Sequence, residues 1–329
     1  MIKLDSNENQ TQHFLDIKDI VKDIDPRFYP DVNISDLRLK ISDKNNIPAN
    51  EIFCSNGSDN LIKIITFCLI SYKDEVLIPE VAFPTYEIAA KMKECYYKLI
   101  PLNNHGIDLG ATLNAISEKT KLIWISNPHN PTGTYLTGHE LHAFLDKVPS
   151  NVYVVLDEAY IEYIIDDYYD SFDIYKQYPN VILLRTFSKA HGLAGARVGY
   201  GFARKEIINK LSLGLGPFDV NSYAQKLAYF AVDDDEYVRL TKETTSIERA
   251  KYESLCNKLN LEYIKSHTSF IMINFNNISD VVCEYLLSHS ITVKNGSKIG
   301  MPGWVRISIG TKEQNELTMK LITNITSLF

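Results

Sequence analysis

Residues 186–200 read TFSKAHGLAGARVGY, and this stretch decides more about the fold and chemistry of the chain than any other. Lys189 directly follows Ser188, and a glycine-containing turn then leads to Arg197. A lysine amine can condense with the aldehyde of pyridoxal phosphate as a Schiff base, while a hydroxyl and a guanidinium hold the cofactor phosphate. The stretch therefore indicates a pyridoxal phosphate site, and three segments upstream strengthen that interpretation.

The first of these segments is YVVLDEAY, residues 153–160. Its apolar run ends at Asp157, which predicts a buried parallel strand with a carboxylate at its carboxyl end. Open α/β sheets bind ligands at that end. We expect Asp157 to pair with the ring nitrogen of the cofactor and keep it protonated, and Tyr160 to hydrogen-bond the phenolic oxygen.

The second segment, SNPHNPTG at residues 126–133, follows the apolar run KLIWI. Its two Asn-Pro pairs predict a rigid loop that presents the Asn130 amide at a strand end. Taken alone, the motif is equally compatible with an ordinary turn.

The third segment, CSNGSDNLIKIITFCLI, covers residues 54–70. It predicts Ser58 as the N-cap of an apolar helix whose first amides can receive a phosphate, with a capped helix lacking any ligand as the alternative. Tyr86, in FPTY, is predicted either to stack on the cofactor or to lie in the core.

In chain order, KLDSNEN, YPD, NGSDN, PTY, NPHNPTG, DEAY, TFSKAHGLAGARVGY and RISIGT resemble the histidinol-phosphate aminotransferase family, of the aspartate aminotransferase fold group. The resemblance extends from Lys3 to about Thr311. It implies an α/β fold of type I among pyridoxal-phosphate-dependent enzymes. A mainly parallel sheet of the seven-stranded type would be flanked by helices and followed by a smaller α+β domain.

The resemblance also implies a role for each matching residue. Lys189 would be the Schiff-base lysine, with Asp157 at the ring nitrogen and Tyr86 stacked on the ring. Asn130 and Tyr160 would hydrogen-bond the phenolic oxygen. Contacts with the cofactor phosphate would come from Ser58, Asp59, Ser188 and Arg197, the first two through backbone amides. Tyr29 would contact the phosphate of the neighbouring subunit in a homodimer, and Arg306 and Asn7 would bind the substrate.

Two departures from the family lie on the substrate side. Relatives usually continue NEN with Pro, an aromatic residue, Gly and Pro, whereas this chain reads NENQTQHFL and lacks that aromatic contact. Relatives also tend to carry an arginine where ITVKN has Lys294, which can still bind a phosphate as a point charge. These changes favour a small substrate, such as dihydroxyacetone phosphate aminated to serinol phosphate, over histidinol phosphate.

The implied function is a pyridoxal-phosphate-dependent aminotransferase. It would move an amino group between glutamate or 2-oxoglutarate and a phosphorylated ketone, aldehyde or amine, either histidinol phosphate or a smaller compound. A decarboxylase of a phosphorylated amino acid is compatible with the same cofactor motifs. A non-catalytic cofactor-binding regulator is disfavoured, because no DNA-binding segment or basic stretch accompanies these motifs.

The composition agrees with a cytoplasmic enzyme. The 329 residues carry a net charge of −7, which argues against a nucleic-acid or anionic membrane partner. The five cysteines show no CxxC spacing and are expected to be reduced. No apolar run approaches the ~20 residues of a membrane span, and the start MIKLDSNENQ lacks signal-peptide features. His139 and His142 have no third ligand, so we predict no metal site.

The order of apolar runs predicts three regions: an N-terminal arm (1–25), a large cofactor-binding domain (26–230) and a small C-terminal domain (231–329). Strands are predicted at EIFCS, EVLIP, KLIWI, YVVLD, VILLRTF and VGYGFA in the large domain, and at FIMINF, ITVKN and WVRISIG in the small one. The long charged pattern DEYVRLTKETTSIERAKYESLCNKL predicts a helix that leads into the small domain, and KEQNELTMKLITNITSL predicts a final helix.

Overall fold

The structure is a computed structural model that describes residues 1–12, 15–165 and 169–329. Its strands are β1 (Ile2–Leu4), β2 (Ile52–Ser55), β3 (Glu75–Pro79), β4 (Tyr96–Ile100), β5 (Leu102–Asn103), β6 (Gly106–Ile107), β7 (Thr120–Ser126), β8 (Tyr153–Asp157), β9 (Val181–Thr186), β10 (Gly199–Phe202), β11 (Tyr263–Ile264), β12 (Phe270–Asn274), β13 (Ile291–Asn295) and β14 (Trp304–Ser308). Its helices are α1 (Ile17–Val21), α2 (Ser35–Asn45), α3 (Ser58–Leu69), α4 (Thr85–Lys93), α5 (Leu109–Ala115), α6 (Gly138–Leu145), α7 (Ser171–Gln177), α8 (Lys205–Leu211), α9 (Ser222–Ala231), α10 (Asp235–Leu259), α11 (Ser279–Ser288) and α12 (Lys312–Thr326).

The larger sheet has seven strands within the described residues, in the order β2-β10-β9-β8-β7-β3-β4. Neighbouring strands from β9 to β4 are parallel, and β10 runs antiparallel to both β2 and β9. The mainly parallel seven-stranded sheet predicted from the sequence is therefore confirmed. The prediction missed β4, whose YYKLI lies at the sheet edge with three of its five residues exposed.

Helices cover both faces of this sheet, which is why its central strands read as continuous apolar runs. Along β7, Ile123 and Ile125 point into the core beneath α2, α6 and α9. Leu122 and Trp124 point into the opposite core, beneath α3, α4 and α8. The alternation of side chains along a strand thus fills two separate apolar layers, and it leaves the strand ends to carry polar residues.

The smaller sheet, also counted over the described residues, has the order β1-β13-β14-β12-β11. It packs against α10, α11 and α12 through Cys256, Leu286 and Ile322. The predicted α+β character of the C-terminal region is confirmed. The N-terminal β1 pairs with β13 in this sheet, with Ile2 opposite Ile291, which the sequence did not indicate. The two boundaries between the three predicted regions remain predictions.

The helix α10 connects the two sheets, and its ends carry ordinary helix signals. Asp234 caps its N-terminus by accepting a hydrogen bond from the Tyr237 amide, and Asn260 ends it in a left-handed conformation. Its 25 residues match the predicted segment. Over the described ranges, no helix combines the length and apolar composition needed to cross a bilayer.

Candidate active site

A cavity of about 350 Å³ opens where β7, β8 and β9 end, which is the edge at which open α/β sheets bind ligands. Its lining contains every residue that the sequence assigned to cofactor or substrate, with the exception of Tyr29. These residues are Asn7, Ser58, Asp59, Tyr86, Asn130, Asp157, Tyr160, Ser188, Lys189, Arg197, Lys294 and Arg306.

Asp157 ends β8 as a buried carboxyl group. Its Oδ2 accepts a hydrogen bond of 2.6 Å from the Tyr86 hydroxyl, and its Oδ1 accepts one from the Ala159 amide. Burial raises the pKa of Asp157 to about 6, and both hydrogen bonds oppose that rise. The Tyr86 ring is fully buried and stacks on Trp124, with centroids 4.6 Å apart. Stacking of Tyr86 on the cofactor stays a prediction.

The start of α3 forms one wall of the cavity. Gly57, with φ of +80°, is the N-cap residue, and no side chain caps the helix. The prediction that Ser58 is the N-cap is therefore wrong by one residue. The left-handed backbone at Gly57 favours glycine and brings Ser58 into the first helical turn. The Ser58 amide thus lies at the positive end of a 12-residue helix, where anions bind favourably.

Arg197 lies beside this helix start. Its Nη2 donates to Asp59 Oδ2 at 3.0 Å, and its Nη1 donates to Ser188 Oγ at 3.3 Å. A Cβ atom on Gly57 would overlap the Arg197 guanidinium, and one on Gly199 would overlap the Ser58 backbone nitrogen. The two glycines therefore keep open a cradle of backbone amide, hydroxyl and guanidinium donors, which fits the phosphate of pyridoxal phosphate.

Lys189 extends into the cavity beneath the N-terminal segment. Its Nζ donates to the Ser6 carbonyl oxygen at 3.1 Å and lies 5.7 Å from the centroid of the Tyr160 ring. The Tyr160 hydroxyl accepts a 2.8 Å hydrogen bond from Asn7 Nδ2. The backbone amide of Asn7 donates to Ser308 Oγ, and the Ser308 hydroxyl donates back to Asn7 Oδ1. Asn7 thus connects β14 to the catalytic side of the large sheet.

Two cations lie next to each other on the small sheet. Lys294 on β13 is directly opposite Arg306 on β14. Arg306 is only 6% exposed. Its guanidinium donates to Asn130 Oδ1 at 2.6 Å and to the Asp5 carbonyl oxygen at 2.9 Å. Its Nε is buried and has no hydrogen-bond partner among the described residues. Burial lowers the pKa of Arg306. Because like charges in opposed positions repel, this pair favours an anion between them.

Comparison with known proteins agrees with this geometry. Residues 1–322 match the model of the family described as aminotransferase class I and II. The chain belongs to this family. Histidinol-phosphate aminotransferase 2 of Carboxydothermus hydrogenoformans is 40% identical over 95% of this chain and 88% of its own length. The histidinol-phosphate aminotransferase of Geobacillus thermodenitrificans is 37% identical over 99% and 90%, respectively.

Solved structures share the fold of this aminotransferase. Histidinol-phosphate aminotransferase from Sinorhizobium meliloti in complex with pyridoxal-5'-phosphate superposes with a TM-score of 0.94 at 22% identity, covering 100% of this chain and 91% of the other. L-Threonine-O-3-phosphate decarboxylase from Porphyromonas gingivalis gives 0.84 at 23% identity, covering 99% and 100%. At these identities the structures show the fold alone.

The predicted family, fold type I, cofactor and enzyme class are confirmed. The protein is an aminotransferase that depends on pyridoxal phosphate, and its family acts on amino acids and keto acids. The family match and these relatives favour transamination over the decarboxylase and the non-catalytic regulator.

Tyr29 is the one predicted site residue that lies outside the cavity of the aminotransferase. Its side chain is 81% exposed and stacks on Phe218, with centroids 4.4 Å apart. The contact of Tyr29 with a neighbouring subunit stays a prediction. In the part of the chain that the structure describes, no group of three or more histidine, cysteine or acidic side chains has the arrangement of a metal site.

The sequence did not identify three features of the site. These are the Ser6 carbonyl oxygen that accepts from Lys189, the hydroxyl contact between Tyr86 and Asp157, and the presence of Lys298 in the cavity lining. The first two depend on contacts between distant segments. The position of Lys298, four residues after Lys294, was a signal that could have been used.

Proposed function

We propose that this aminotransferase exchanges an amino group between glutamate and a phosphorylated amine, and that histidinol phosphate is the first substrate to test. The observation that carries the proposal is the cross-strand pair of Lys294 and Arg306, which line the same cavity as Lys189. Two adjacent cations at the substrate side of a cofactor cavity suit anionic substrates. The names of the relatives supply histidinol phosphate as the candidate.

The two cations would bind different anions in the two halves of the reaction. Arg306 is anchored through Asn130 and the Asp5 carbonyl oxygen, and a guanidinium can hold the carboxylate of glutamate or 2-oxoglutarate. Lys294 would act as a point charge for the phosphate of the second substrate. One cavity can therefore serve both substrates in turn.

Bound pyridoxal phosphate supplies an electron sink that stabilises negative charge on the substrate carbon beside the amino group. Ser58, Ser188 and Arg197 would hold its phosphate, and Asp157 would carry the charge opposite its ring nitrogen. Lys189 would move the proton at the reacting carbon as a general base and acid. The Tyr160 hydroxyl accepts from Asn7, which leaves its own proton to donate to the cofactor.

A smaller phosphorylated substrate is the second candidate, with dihydroxyacetone phosphate and serinol phosphate as the keto and amino partners. The cavity of about 350 Å³ lies at the lower end of the range for ligand sites, and cofactor and substrate must share it. The segment NENQTQHFL also lacks the aromatic residue of the family. His13 and Phe14 of that segment lie outside the described residues.

We also propose that the enzyme is a cytoplasmic homodimer in which Tyr29 contacts the cofactor phosphate of the neighbouring subunit. Phe28 and Leu213 support this proposal, because they are 70% and 88% exposed and an interface would remove their apolar surface from water.

The experiment is an amino-transfer assay with 2-oxoglutarate as acceptor and a panel of donors. The panel contains histidinol phosphate, serinol phosphate and their unphosphorylated counterparts. We expect glutamate formation from a phosphorylated donor and much lower kcat/KM for its unphosphorylated counterpart. Release of carbon dioxide from phosphothreonine, without amino transfer, would instead identify a decarboxylase. Turnover of ordinary amino acids alone would contradict the phosphorylated substrate.

Borohydride treatment of the same holoenzyme provides an independent test of the cofactor attachment. We expect the added mass of the reduced cofactor on the peptide that contains Lys189. Attachment to another lysine would contradict the assigned catalytic residue, whatever substrate the assay identifies.

A further inference from the structure

A short turn places a second lysine at the substrate side of the cavity. Lys294 lies in β13, Lys298 lies in the 3-10 turn Gly296–Ile299 that follows, and both line the cavity together with Arg306. Within the described residues, neither ammonium group has an ion-pair or hydrogen-bond partner. By contrast, Lys91 pairs with Glu87 at 2.7 Å.

The turn is fixed by its own contacts. The Asn295 side chain accepts a hydrogen bond from the Ser297 amide at 2.9 Å and donates to Asp280 Oδ1 at 2.6 Å. A Cβ atom on Gly296 would overlap the Met301 carbonyl oxygen, and the Met301 amide donates to Gly296. This close packing holds the backbone of both lysines in place before a ligand arrives, which lowers the entropic cost of binding.

Among the described residues, the cavity lining contains three acidic side chains, and one of them, Asp5, interacts electrostatically with Arg306 and opposes the lowering of its pKa by burial. Asp59 is paired with Arg197, and Asp157 accepts its hydrogen bonds from Tyr86 and Ala159. A carboxylate carries one negative charge, whereas a phosphate monoester carries about −1.5 to −2 near neutral pH. Asp5 can offset one of the three cations, and the positive charge that remains favours a phosphate over a second carboxylate.

We propose that Lys298 is a specificity-determining residue that binds, together with Lys294, the phosphate group of the second substrate. The inference rests on the proposed function and names the two lysines as the phosphate subsite of that substrate. Arg306 then remains for the carboxylate of glutamate, so that removal of Lys298 affects one substrate and not the other.

The test uses the holoenzyme and the variant Lys298→Met. Lys320→Met is the matched control, since Lys320 is an exposed lysine on α12 outside the cavity lining. Glycerol 3-phosphate is the probe, measured as an inhibitor of the half-reaction with glutamate, and glycerol is its uncharged counterpart. We expect Lys298→Met to raise the inhibition constant of glycerol 3-phosphate roughly tenfold. The KM for glutamate should change by less than about twofold.

Two further outcomes separate this inference from the proposed function. Lys298→Arg keeps the charge and should retain most of the inhibition. Equal inhibition constants for the Lys298→Met and Lys320→Met variants, or no inhibition of the wild-type enzyme by glycerol 3-phosphate, would overturn the inference. If the wild-type enzyme turns over no phosphorylated donor but Lys298→Met still raises the inhibition constant of glycerol 3-phosphate, the proposed function fails and the phosphate subsite stands.

Discussion

Among the described residues, no cationic side chain pairs with the buried carboxyl group of Asp157. It is 5% exposed, and burial is the main cause of its raised pKa of about 6. The acidic groups of Asp59 and Glu158 raise the pKa further, while hydrogen bonds from Tyr86 and Ala159 lower it. The fold therefore carries an unfavourable charge at this position that the protonated ring of bound pyridoxal phosphate would compensate.

Replacement of Asp157 by Asn should change the stability of the apoprotein in a pH-dependent way. Because the pKa is higher in the folded protein than the ordinary value of 3.8, folding takes up a proton between pH 3.8 and about 6. Ionisation of Asp157 therefore destabilises the fold, fully above about pH 6, and this cost vanishes as the pH falls below the unfolded pKa. We expect the Asp157→Asn apoprotein to melt a few degrees higher than wild type at about pH 8, with a smaller difference at about pH 5.

The same substitution should lower the rate of amino transfer by orders of magnitude, because the ring nitrogen loses its charged partner. Thermal melting of both apoproteins at several pH values, with kcat measured on the holoenzymes, checks the two effects. A variant that melts below wild type at about pH 8 would show that the Asp157 carboxylate supports the fold. Near-normal kcat would show that it plays no part in the reaction.

At the scale of elements, the phosphate cradle depends on how closely β10 approaches the start of α3. A Cβ atom on Gly199 would overlap backbone atoms of Gly57 and Ser58, whereas one on Gly195, in the 3-10 turn Ala194–Ala196 just before β10, would meet nothing within 4 Å. Gly195 lies only four residues from Gly199 but has open space around it. Gly195→Ala is therefore a matched control for a test of the close approach between β10 and α3.

We expect Gly199→Ala to separate β10 from α3 and to weaken binding of pyridoxal phosphate by roughly tenfold or more, since backbone atoms must move out of the cradle. Gly195→Ala should bind the cofactor as wild type does. Titration of each apoprotein with pyridoxal phosphate, followed by its visible absorbance, gives the dissociation constants. Unchanged affinity in Gly199→Ala would mean that the phosphate lies elsewhere.

The elements that the sequence predicted best are those with strong local patterns. The strands β7, β8 and β9 are buried on both faces, and α10 has caps at both ends, so their bounds follow within two residues. Among the strands of the two larger sheets, β1, β4 and β11 were missed, because each lies at a sheet edge and has no continuous buried apolar run.

The site shows the same division between local and distant information. Lys189 and Arg197 belong to one continuous motif, and both line the cavity as expected. The hydrogen bond between Tyr86 on α4 and Asp157 at the end of β8 joins residues 71 positions apart. No local pattern encodes such a contact, because it depends on the order of the strands in the sheet.

The exposed surface around Tyr29 carries several large apolar side chains. Tyr29 and Phe28 are both mostly exposed, and Tyr29 lies against Phe218, which is 40% exposed. A symmetric dimer would cover this surface and could bring Tyr29 to the cavity of the other subunit. Each active site would then contain residues of two chains.

Hybrid dimers test this arrangement directly. Lys189→Ala removes the catalytic amine, and Tyr29→Ala removes the proposed contact with the partner subunit, so each parent dimer should have low activity. In a hybrid with one chain of each kind, one site combines an intact Lys189 with an intact Tyr29 from the other chain, and we expect about half the activity of the wild-type dimer. Hybrids purified through two different affinity tags and assayed for amino transfer provide the measurement. If Tyr29 acts within its own chain, no site in the hybrid is complete and its activity stays at that of the parents. If the active enzyme sediments as a monomer, no hybrid forms and the shared site is excluded.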